Sequence, residues 1–301
     1  MSGPYMSLLR IKAMHEIHRV EIRVLTESDI PAAMRLKEAA GWNQTENDWR
    51  LLLKLAPEGC FAATLAGEVV GTTTTTVYDD GLAWIGMVLV HPDNRRLGIA
   101  TKLLETALDY LHPKAGTIKL DATAAGRPVY EKLGFRGESM IERWTRDVEG
   151  MPNHAFPIRM SSLNVETLDE LVVLDRRAFA ADRGKIIESL LKLAVAAPVL
   201  ERAEDGSLIG YALSRNGSNA AYIGPVVMTD SRRIGPLLDK VLGPLREQRV
   251  YIDFNTRFRD GLPALRERGF AKQRELIRMS KGDGSKCTSE FVFAIAGPEV
   301  G

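Results

Sequence analysis

The chain has 301 residues, 45% of them hydrophobic, and a formal net charge of +1. This length is enough for two domains of ordinary size, and the near-neutral charge argues against a broad cationic surface for nucleic acids or anionic membranes. The two cysteines, Cys60 and Cys287, lie far apart and lack zinc-ligand spacing. The sequence therefore predicts no metal site, no disulfide framework and a reducing, cytoplasmic location.

Residues 1–18 are expected to form an N-terminal extension. They include basic residues but neither an uninterrupted apolar segment nor a small-residue cleavage pattern, so they do not match a secretory signal peptide. No segment of the sequence reaches the ~20 apolar residues that a membrane span requires. Neither secretion nor membrane association is therefore predicted.

The first half of the chain contains a series of strand and helix patterns. Residues 20–25 alternate as in a strand, Thr26 and Asp29 are caps for a helix, and Thr45 begins a second helix. The other predicted elements are strands in residues 60–67, 69–78 and 82–90, a helix from Gly98 to about His112, a strand in 117–123, a short helix in 126–134 and a strand in 135–148. Five consecutive threonines, residues 72–76, favour a strand with a solvated or cleft-facing side.

Residues 88–101, which read VLVHPDNRRLGIAT, carry the clearest functional pattern. They predict a strand, then a basic turn, then a helix. Arg95, Arg96 and the backbone N–H groups near Gly98 lie at the positive end of the helix dipole, an arrangement that binds phosphate. Gly98 and Ala100 are small, which lets phosphate oxygens approach the main chain.

This turn, with its R-x-x-G-x-A pattern, resembles the acyl-CoA-binding motif of the GNAT family of N-acetyltransferases. A second motif, GRPVYEKLGF at residues 126–135, resembles the helix and Gly-Phe pair that follow in this family. The resemblance implies an α/β (α+β) fold, a mixed and mostly antiparallel sheet flanked by helices, with acetyl-CoA as co-substrate. It implies that acetyl-CoA is bound by the strand backbone at Val88, Leu89 and Val90, and by Arg95, Arg96, Leu97, Gly98, Ile99, Ala100 and Thr101.

Tyr130 occupies the family's acid position within the second motif. A phenol can donate a proton to a departing thiolate, so we expect Tyr130 to protonate the sulfur of CoA, with packing beneath the helix as the alternative role. Many family members have Asn seven residues before the Tyr and Ala four before it, whereas this chain has Thr123 and Gly126. Contacts to the pantetheine arm are therefore less well defined by the sequence than those of the basic turn.

An internal repeat relates the two halves of the chain. Residues 227–235 match residues 90–98, so that Gly235 lies 137 positions after Gly98. The segment LPALRERGF at residues 262–270 likewise matches RPVYEKLGF in the first half. The second half is therefore predicted to be a degenerate GNAT-like unit, giving tandem GNAT-like folds.

The second copy of the motif lacks features that the first copy has. Pro236 removes one N–H donor, and Leu237 places bulk where Ala100 is small. Leu265 stands at the position that matches Tyr130, so the acid is missing as well. We predict that the second copy does not bind acyl-CoA productively.

These patterns divide the chain into four parts. They are the extension at 1–18, a catalytic GNAT domain at 19–148, a linker with two prolines at 149–162, and a degenerate GNAT-like domain at 163–301. The second domain is expected to complete the acceptor pocket.

No general base is identified, and two sets of residues have roles that the sequence leaves open. Asp121 and Asp253 occupy matching strand ends in the two halves, and each is either a cleft acid that attracts a cationic amine or a loop cap, with capping favoured. Trp42, Asn43 and Gln44 either line the acceptor side of the site or simply connect two helices.

The predicted function is that of an acyl-CoA-dependent N-acyltransferase. It transfers an acetyl group from acetyl-CoA to a primary amine of a small molecule or amino-acid-like acceptor, by direct attack in a ternary complex. The alternative is a CoA-binding sensor or scaffold with this architecture and no turnover. The sequence does not predict the acceptor, the preferred acyl chain or the oligomeric state.

Overall fold

The computed structural model of the protein describes residues 20–148, 163–258, 261–283 and 291–301. The predicted extension (1–18) and linker (149–162) lie outside these ranges, so the predicted domain boundaries stay predictions. None of the helices within the described ranges is both long and apolar enough to cross a membrane.

Helices and strands alternate in a similar order in the two halves. The first half contains β1 (Val20–Val24), α1 (Ile30–Ala39), α2 (Glu46–Leu55), β2 (Phe61–Leu65), β3 (Glu68–Val77), β4 (Leu82–Val90), α3 (Ile99–Leu111), β5 (Thr117–Ala122), α4 (Arg127–Lys132) and β6 (Arg136–Arg146). The second contains α5 (Val165–Phe179), α6 (Gly184–Lys192), β7 (Val199–Arg202), β8 (Leu208–Arg215), β9 (Ala221–Met228), α7 (Ile234–Leu242), β10 (Val250–Asn255), α8 (Leu262–Glu267), β11 (Ala271–Gly282) and β12 (Val292–Ala294). The predicted order of elements in the first half, and the mixed α/β class, are confirmed.

The described residues separate into two compact units, one formed by those within 1–77 and 85–115 and the other by those within 78–84 and 116–301. In the first unit, β1, β2 and β3 are antiparallel neighbours. Helix α3 buries an apolar face at helical spacing, including Ile99, Leu103 and Leu104, and it packs on β2 and β3. Burial of this face fixes the start of α3 against the sheet.

The capping residues predicted for the first two helices form caps, although the first cap closes a 3-10 turn at Glu27–Asp29 that leads directly into α1. The Thr26 and Asp29 side chains bond each other's backbone reciprocally, and Asp29 also accepts two hydrogen bonds from Arg23 at 2.7 Å. Thr45 and Asp48 form the same reciprocal cap at the start of α2. Such caps satisfy N–H groups that have no partner within the helix.

The threonines at residues 72–76 are all buried in β3, so the expected solvated side of this strand is wrong. Three helices, α1, α2 and α3, pack on β3 and exclude water from it. The Thr72 hydroxyl donates to the Met87 carbonyl and the Thr75 hydroxyl to the Gly59 carbonyl, each at 2.8 Å. Threonine supplies both a β-branched strand former and a hydroxyl that can bond the backbone.

In the second unit, the final strands of the two halves are exchanged. Strand β11, from the second half, pairs antiparallel with β5 of the first half, while β6 of the first half pairs antiparallel with β10 of the second. Strands β11 and β6 also pair with each other, and the sheet continues through β10 to β9, β8 and β7. The start of β4, Leu82 to Trp84, pairs in parallel with β5. The two sequence repeats therefore share one sheet in this unit.

The exchanged strands are joined by two matching ion pairs. Arg278 of β11 bonds Asp121 of β5 through two contacts of 2.9 Å, and Arg143 of β6 bonds Asp253 of β10 at 2.7 and 2.6 Å. All four side chains are buried or nearly so. Asp121 and Asp253 are thus neither loop caps nor free cleft acids, and both interpretations of them were wrong. Each carboxylate is a cross-strand partner, because a guanidinium stands opposite it in the register.

Removing one partner of such a pair leaves a buried charge. We expect Arg278→Met to lower the free energy of unfolding by about 3–5 kcal/mol, because the fully buried Asp121 carboxylate then lacks its cation. Urea denaturation measures the change. As a control, Arg127→Met breaks an exposed pair with Glu131 and should cost about 1 kcal/mol or less. Equal losses in the two variants would contradict a special role for the buried pair.

Candidate functional site

Strand β4 becomes irregular towards its carboxyl end. Its pairing with β5 covers Leu82 to Trp84 and no later residue of β4. Met87 has a left-handed backbone conformation with φ of 49°, which is uncommon for a residue with a side chain and interrupts the regular strand. Leu89 is buried, while Val88 and Val90 are half-buried. The three predicted strand residues thus follow an irregularity and lie beyond the part of β4 that pairs with β5.

The basic turn, residues 95–101, follows a short 3-10 turn at Pro92–Asn94. His91 begins that turn, and its Nδ1 accepts a hydrogen bond from the Asp93 N–H at 3.4 Å. Within the basic turn, Arg96 and Gly98 have left-handed backbone conformations, with φ of 63° and 83°. Gly98 is the N-cap of α3, which begins at Ile99. The backbone therefore forms an irregular turn immediately before the helix.

Hydrogen-bond donors in the basic turn are left without protein acceptors. Among the described residues, the backbone N–H groups from Arg96 to Thr101 have no acceptor, as is usual for the first turn of a helix. The Arg95 side chain donates to the Val90 carbonyl at 3.4 Å, and the Arg96 guanidinium has no partner within the same described set. Two cations and a row of free N–H groups together form an anion-binding arrangement.

Gly98 has a conformational role in addition to the steric role expected from the sequence. A side chain at a left-handed position costs roughly 1–2 kcal/mol, and glycine avoids this cost. The small size of Ala100, which is half-buried, has no such backbone reason. Steric access to the first turn of α3 is therefore the one reason found for the small size of Ala100, whereas Gly98 has a backbone reason as well.

Tyr130 lies in α4 and packs against the rest of the second motif. Its ring meets Phe135 edge to face, with the ring centres 6.1 Å apart, and 8% of the residue is exposed. Burial raises the pKa of the Tyr130 hydroxyl well above the ordinary phenol value, so it is protonated at neutral pH. That hydroxyl bonds no other residue in the described part of the chain. Tyr130 thus combines the buried ring of a packing residue with an unused proton donor.

The two residues that depart from the family pattern both support α4. The Thr123 carbonyl accepts from the N–H groups of Gly126 and Arg127 at 3.0 Å, and the Thr123 hydroxyl accepts from Gly126 at 3.2 Å. A methyl group placed on Gly126 would lie 2.9 Å from Cε2 of Tyr130. Glycine at this position therefore makes room for the tyrosine ring.

We expect Gly126→Ala to displace the Tyr130 ring and to lower turnover while the protein stays folded. A carbon–carbon approach of 2.9 Å is too short, and the ring must move to relieve it. Steady-state kinetics and circular dichroism measure the two effects. Gly243→Ala is the matched control, since a methyl group there meets nothing within 4 Å. Unchanged turnover in Gly126→Ala would contradict the need for this ring position.

In the matching turn of the second half, both arginine side chains form ion pairs with carboxylates. Arg232 bonds Asp230 at 2.9 Å, and Arg233 contacts Glu201 at 3.0 Å. Helix α7 begins at Ile234, two positions earlier than α3 does in the aligned repeat, and no residue described in this turn is left-handed.

An arginine side chain also lies against the N-terminal end of α7. A methyl group on Gly235 would lie 3.0 Å from Nη2 of Arg268, whose guanidinium is held there by Asp239 at 2.7 and 2.8 Å. Leu265, which matches Tyr130, is fully buried. The sequence analysis identified the losses at Pro236 and Leu237 but missed Arg268, because nothing in the motif indicates where that side chain lies.

No general base emerges from the described carboxylates. Asp121 and Asp253 are held in buried ion pairs, Glu131 bonds Arg127 at 2.6 Å, and Glu68 is exposed at the start of β3. Burial alone would raise the pKa of Asp253, but the charge and hydrogen bonds of Arg143 outweigh it and lower that pKa below its ordinary value.

Two family models match separate parts of the chain. The model described as the acetyltransferase (GNAT) family matches residues 21–135, and the model described as an acetyltransferase (GNAT) domain matches residues 171–294. The chain therefore belongs to the GNAT family of N-acetyltransferases and contains two GNAT domains. The resemblance drawn from the two sequence motifs is confirmed.

The regions of similarity to known proteins cover most of this chain. YitH of Bacillus subtilis (strain 168), an uncharacterised N-acetyltransferase, is 24% identical over 262 residues, which are 85% of this chain and 89% of the relative. A solved structure from Pyrococcus horikoshii, assigned to the acetyltransferases, has a TM-score of 0.77 at 23% identity and covers 94% of this chain and 96% of its own. The tandem GNAT protein from the clavulanic acid biosynthesis pathway has a TM-score of 0.60 at 17% identity, covering 89% and 99%. The tandem fold is thus shared along both halves.

Proposed function

We propose that the protein is an acetyl-CoA-dependent N-acyltransferase whose first repeat binds the co-substrate. The observation that carries the proposal is the contrast between the two turns. Arg95 and Arg96 have no carboxylate partner among the described residues, whereas Arg232 and Arg233 each have one. An anion can therefore enter the first turn without displacing an existing ion pair.

The residues of the basic turn fit the pyrophosphate of acetyl-CoA. Free N–H groups from Arg96 to Thr101 offer several donors to phosphate oxygens, and the helix dipole of α3 favours negative charge at this end. Arg95 and Arg96 supply two positive charges, and Ala100 leaves the approach open. Charge-assisted hydrogen bonds to phosphate are the strong class of such contacts.

When bound, acetyl-CoA supplies the acyl group as an activated thioester. The backbone of Val88, Leu89 and Val90 binds the pantetheine arm, and an N–H group of this segment donates a hydrogen bond to the acyl carbonyl. Tyr130 gives its hydroxyl proton to the sulfur as the thiolate leaves. The raised pKa of Tyr130 keeps its hydroxyl protonated at neutral pH, so a proton is available to the departing thiolate.

The acceptor that we propose is a primary amine of a small molecule or an amino-acid-like compound, which reacts directly in a ternary complex. A net charge of +1 offers no general field for a polyanionic partner. The tandem GNAT protein with a similar fold comes from the clavulanic acid biosynthesis pathway, in which the compounds are small molecules.

A CoA-release assay with a panel of amines tests the proposal. The full-length protein is incubated with acetyl-CoA and each amine, and free thiol is measured against reactions without amine. Release that depends on at least one amine is expected. CoA binding without amine-dependent release would instead favour a non-catalytic CoA-binding sensor or scaffold, and an absence of CoA binding would contradict both functions.

A further inference from the structure

Arg274 is a partly buried cation without an anion. It lies on β11 directly opposite Arg143 of β6 in the strand register. Its Nε is buried without a hydrogen-bond partner, and no carboxylate among the described residues forms an ion pair with it. Burial and the neighbouring charge of Arg143 lower the pKa of Arg274 to about 10. A positive charge in such surroundings costs free energy unless a counter-ion is supplied.

The matching ion pairs of the two repeats do not account for Arg274. Arg278 and Arg143 lie at equivalent positions, each eight residues after the Phe of its Gly-Phe pair, and each has its own aspartate. The position in the first repeat that matches Arg274 is occupied by Ser139. Arg274 is therefore an addition specific to the second repeat, and it leaves the Arg143–Asp253 cluster with one excess positive charge.

One polar group that could complete an anion site lies on the same face of the sheet as this charge, because Arg274, Arg143 and Asp253 are aligned across the strands and Tyr251 comes two residues before Asp253. Tyr251 lies beside Asp253 in β10 and is nearly fully buried, and its hydroxyl accepts a hydrogen bond from Gln273 at 3.3 Å. The proton of that hydroxyl is therefore free to be donated elsewhere. Asp253 already accepts two hydrogen bonds from Arg143 and one from the Tyr222 hydroxyl at 3.1 Å, and its single negative charge balances only one of the two guanidinium groups.

We propose that Arg274, with the Tyr251 hydroxyl, forms a binding site for the carboxylate of a small-molecule ligand. A planar carboxylate matches the planar guanidinium and accepts two hydrogen bonds from it. Its single negative charge also equals the excess charge of the cluster. A phosphate dianion carries more charge than the cluster can balance, and a cation is excluded by Arg143 and Arg274 together.

The test is a titration of the full-length protein with sodium acetate as the probe. Ionic strength is held constant with sodium chloride, and the melting temperature is recorded without CoA or amine, so the outcome is independent of acetyl transfer. Parallel titrations use acetamide, the neutral analogue of acetate, and inorganic phosphate. We expect acetate to raise the melting temperature and acetamide to have no effect. A larger shift with phosphate than with acetate would overturn the carboxylate assignment.

Two variants locate the site. Arg274→Gln should weaken acetate binding by about tenfold or more, since a hydrogen bond to a charged group contributes about 1.5–3 kcal/mol. Arg136→Gln, which removes an exposed arginine from β6, is the matched control and should bind acetate like the unaltered protein. Without ligand, Arg274→Gln should be at least as stable as the unaltered protein, because an unpaired charge is removed. Loss of stability in Arg274→Gln, or equal acetate binding by both variants, would overturn the proposal.

Discussion

Replacing Tyr130 by phenylalanine should lower kcat by about 100-fold or more while leaving the Kd for CoA nearly unchanged. General acid catalysis typically contributes a factor of about 10² to 10⁴, and this variant removes the proton without removing the ring. The hydroxyl bonds no described residue, so its loss breaks no internal hydrogen bond. The edge-to-face contact with Phe135 at 6.1 Å is retained. Steady-state kinetics and a direct CoA titration separate the two quantities.

A second tyrosine provides the control for this change. Tyr110 in α3 packs edge to face on Phe61, 5.9 Å away, and has no proposed role in proton transfer. Tyr110→Phe should therefore leave kcat close to that of the unaltered protein. A parallel fall of kcat and CoA affinity in Tyr130→Phe would instead identify a structural role for Tyr130.

Replacing Ala100 by leucine should raise the Kd for CoA by about tenfold or more. Leucine is the residue found at the matching position of the second repeat, Leu237. The larger side chain should hold phosphate oxygens away from the free N–H groups of the basic turn. Loss of one hydrogen bond to a charged group corresponds to about 1.5–3 kcal/mol. Isothermal titration with CoA measures this change.

The same substitution elsewhere in the first unit shows whether added bulk alone matters. Ala32 in α1 is half-buried, as Ala100 is in α3. Ala32→Leu should bind CoA as the unaltered protein does. Similar CoA affinities for Ala100→Leu and the unaltered protein would show that the first turn of α3 does not contact the co-substrate.

Local features of the fold were predictable because they depend on neighbouring residues. The reciprocal caps at Thr26 and Thr45 follow from acidic residues three positions later, and the order of elements follows from periodicity and turn residues. The exchange of β6 and β11 was not predictable, because strand partners far apart in sequence are chosen by packing and register. For the same reason the sequence could not show that Asp121 and Asp253 each face an arginine on another strand.

The candidate site was predictable where a motif fixes backbone geometry. The glycine of the basic turn was expected on steric grounds, and its left-handed φ of 83° adds a conformational reason. Tyr130 was located by its position in the second motif. Contacts between distant side chains were not accessible from the sequence, as the guanidinium of Arg268 over Gly235 and the unpaired Arg274 illustrate.

A calorimetric titration of the full-length protein with CoA tests the central claim most directly, since that claim assigns one functional CoA site to two related repeats. We predict a stoichiometry of one CoA per chain, with the binding heat strongly reduced in Ala100→Leu. Two equivalents of CoA per chain, or one equivalent that is insensitive to Ala100→Leu, would contradict the assignment of the site to the first repeat.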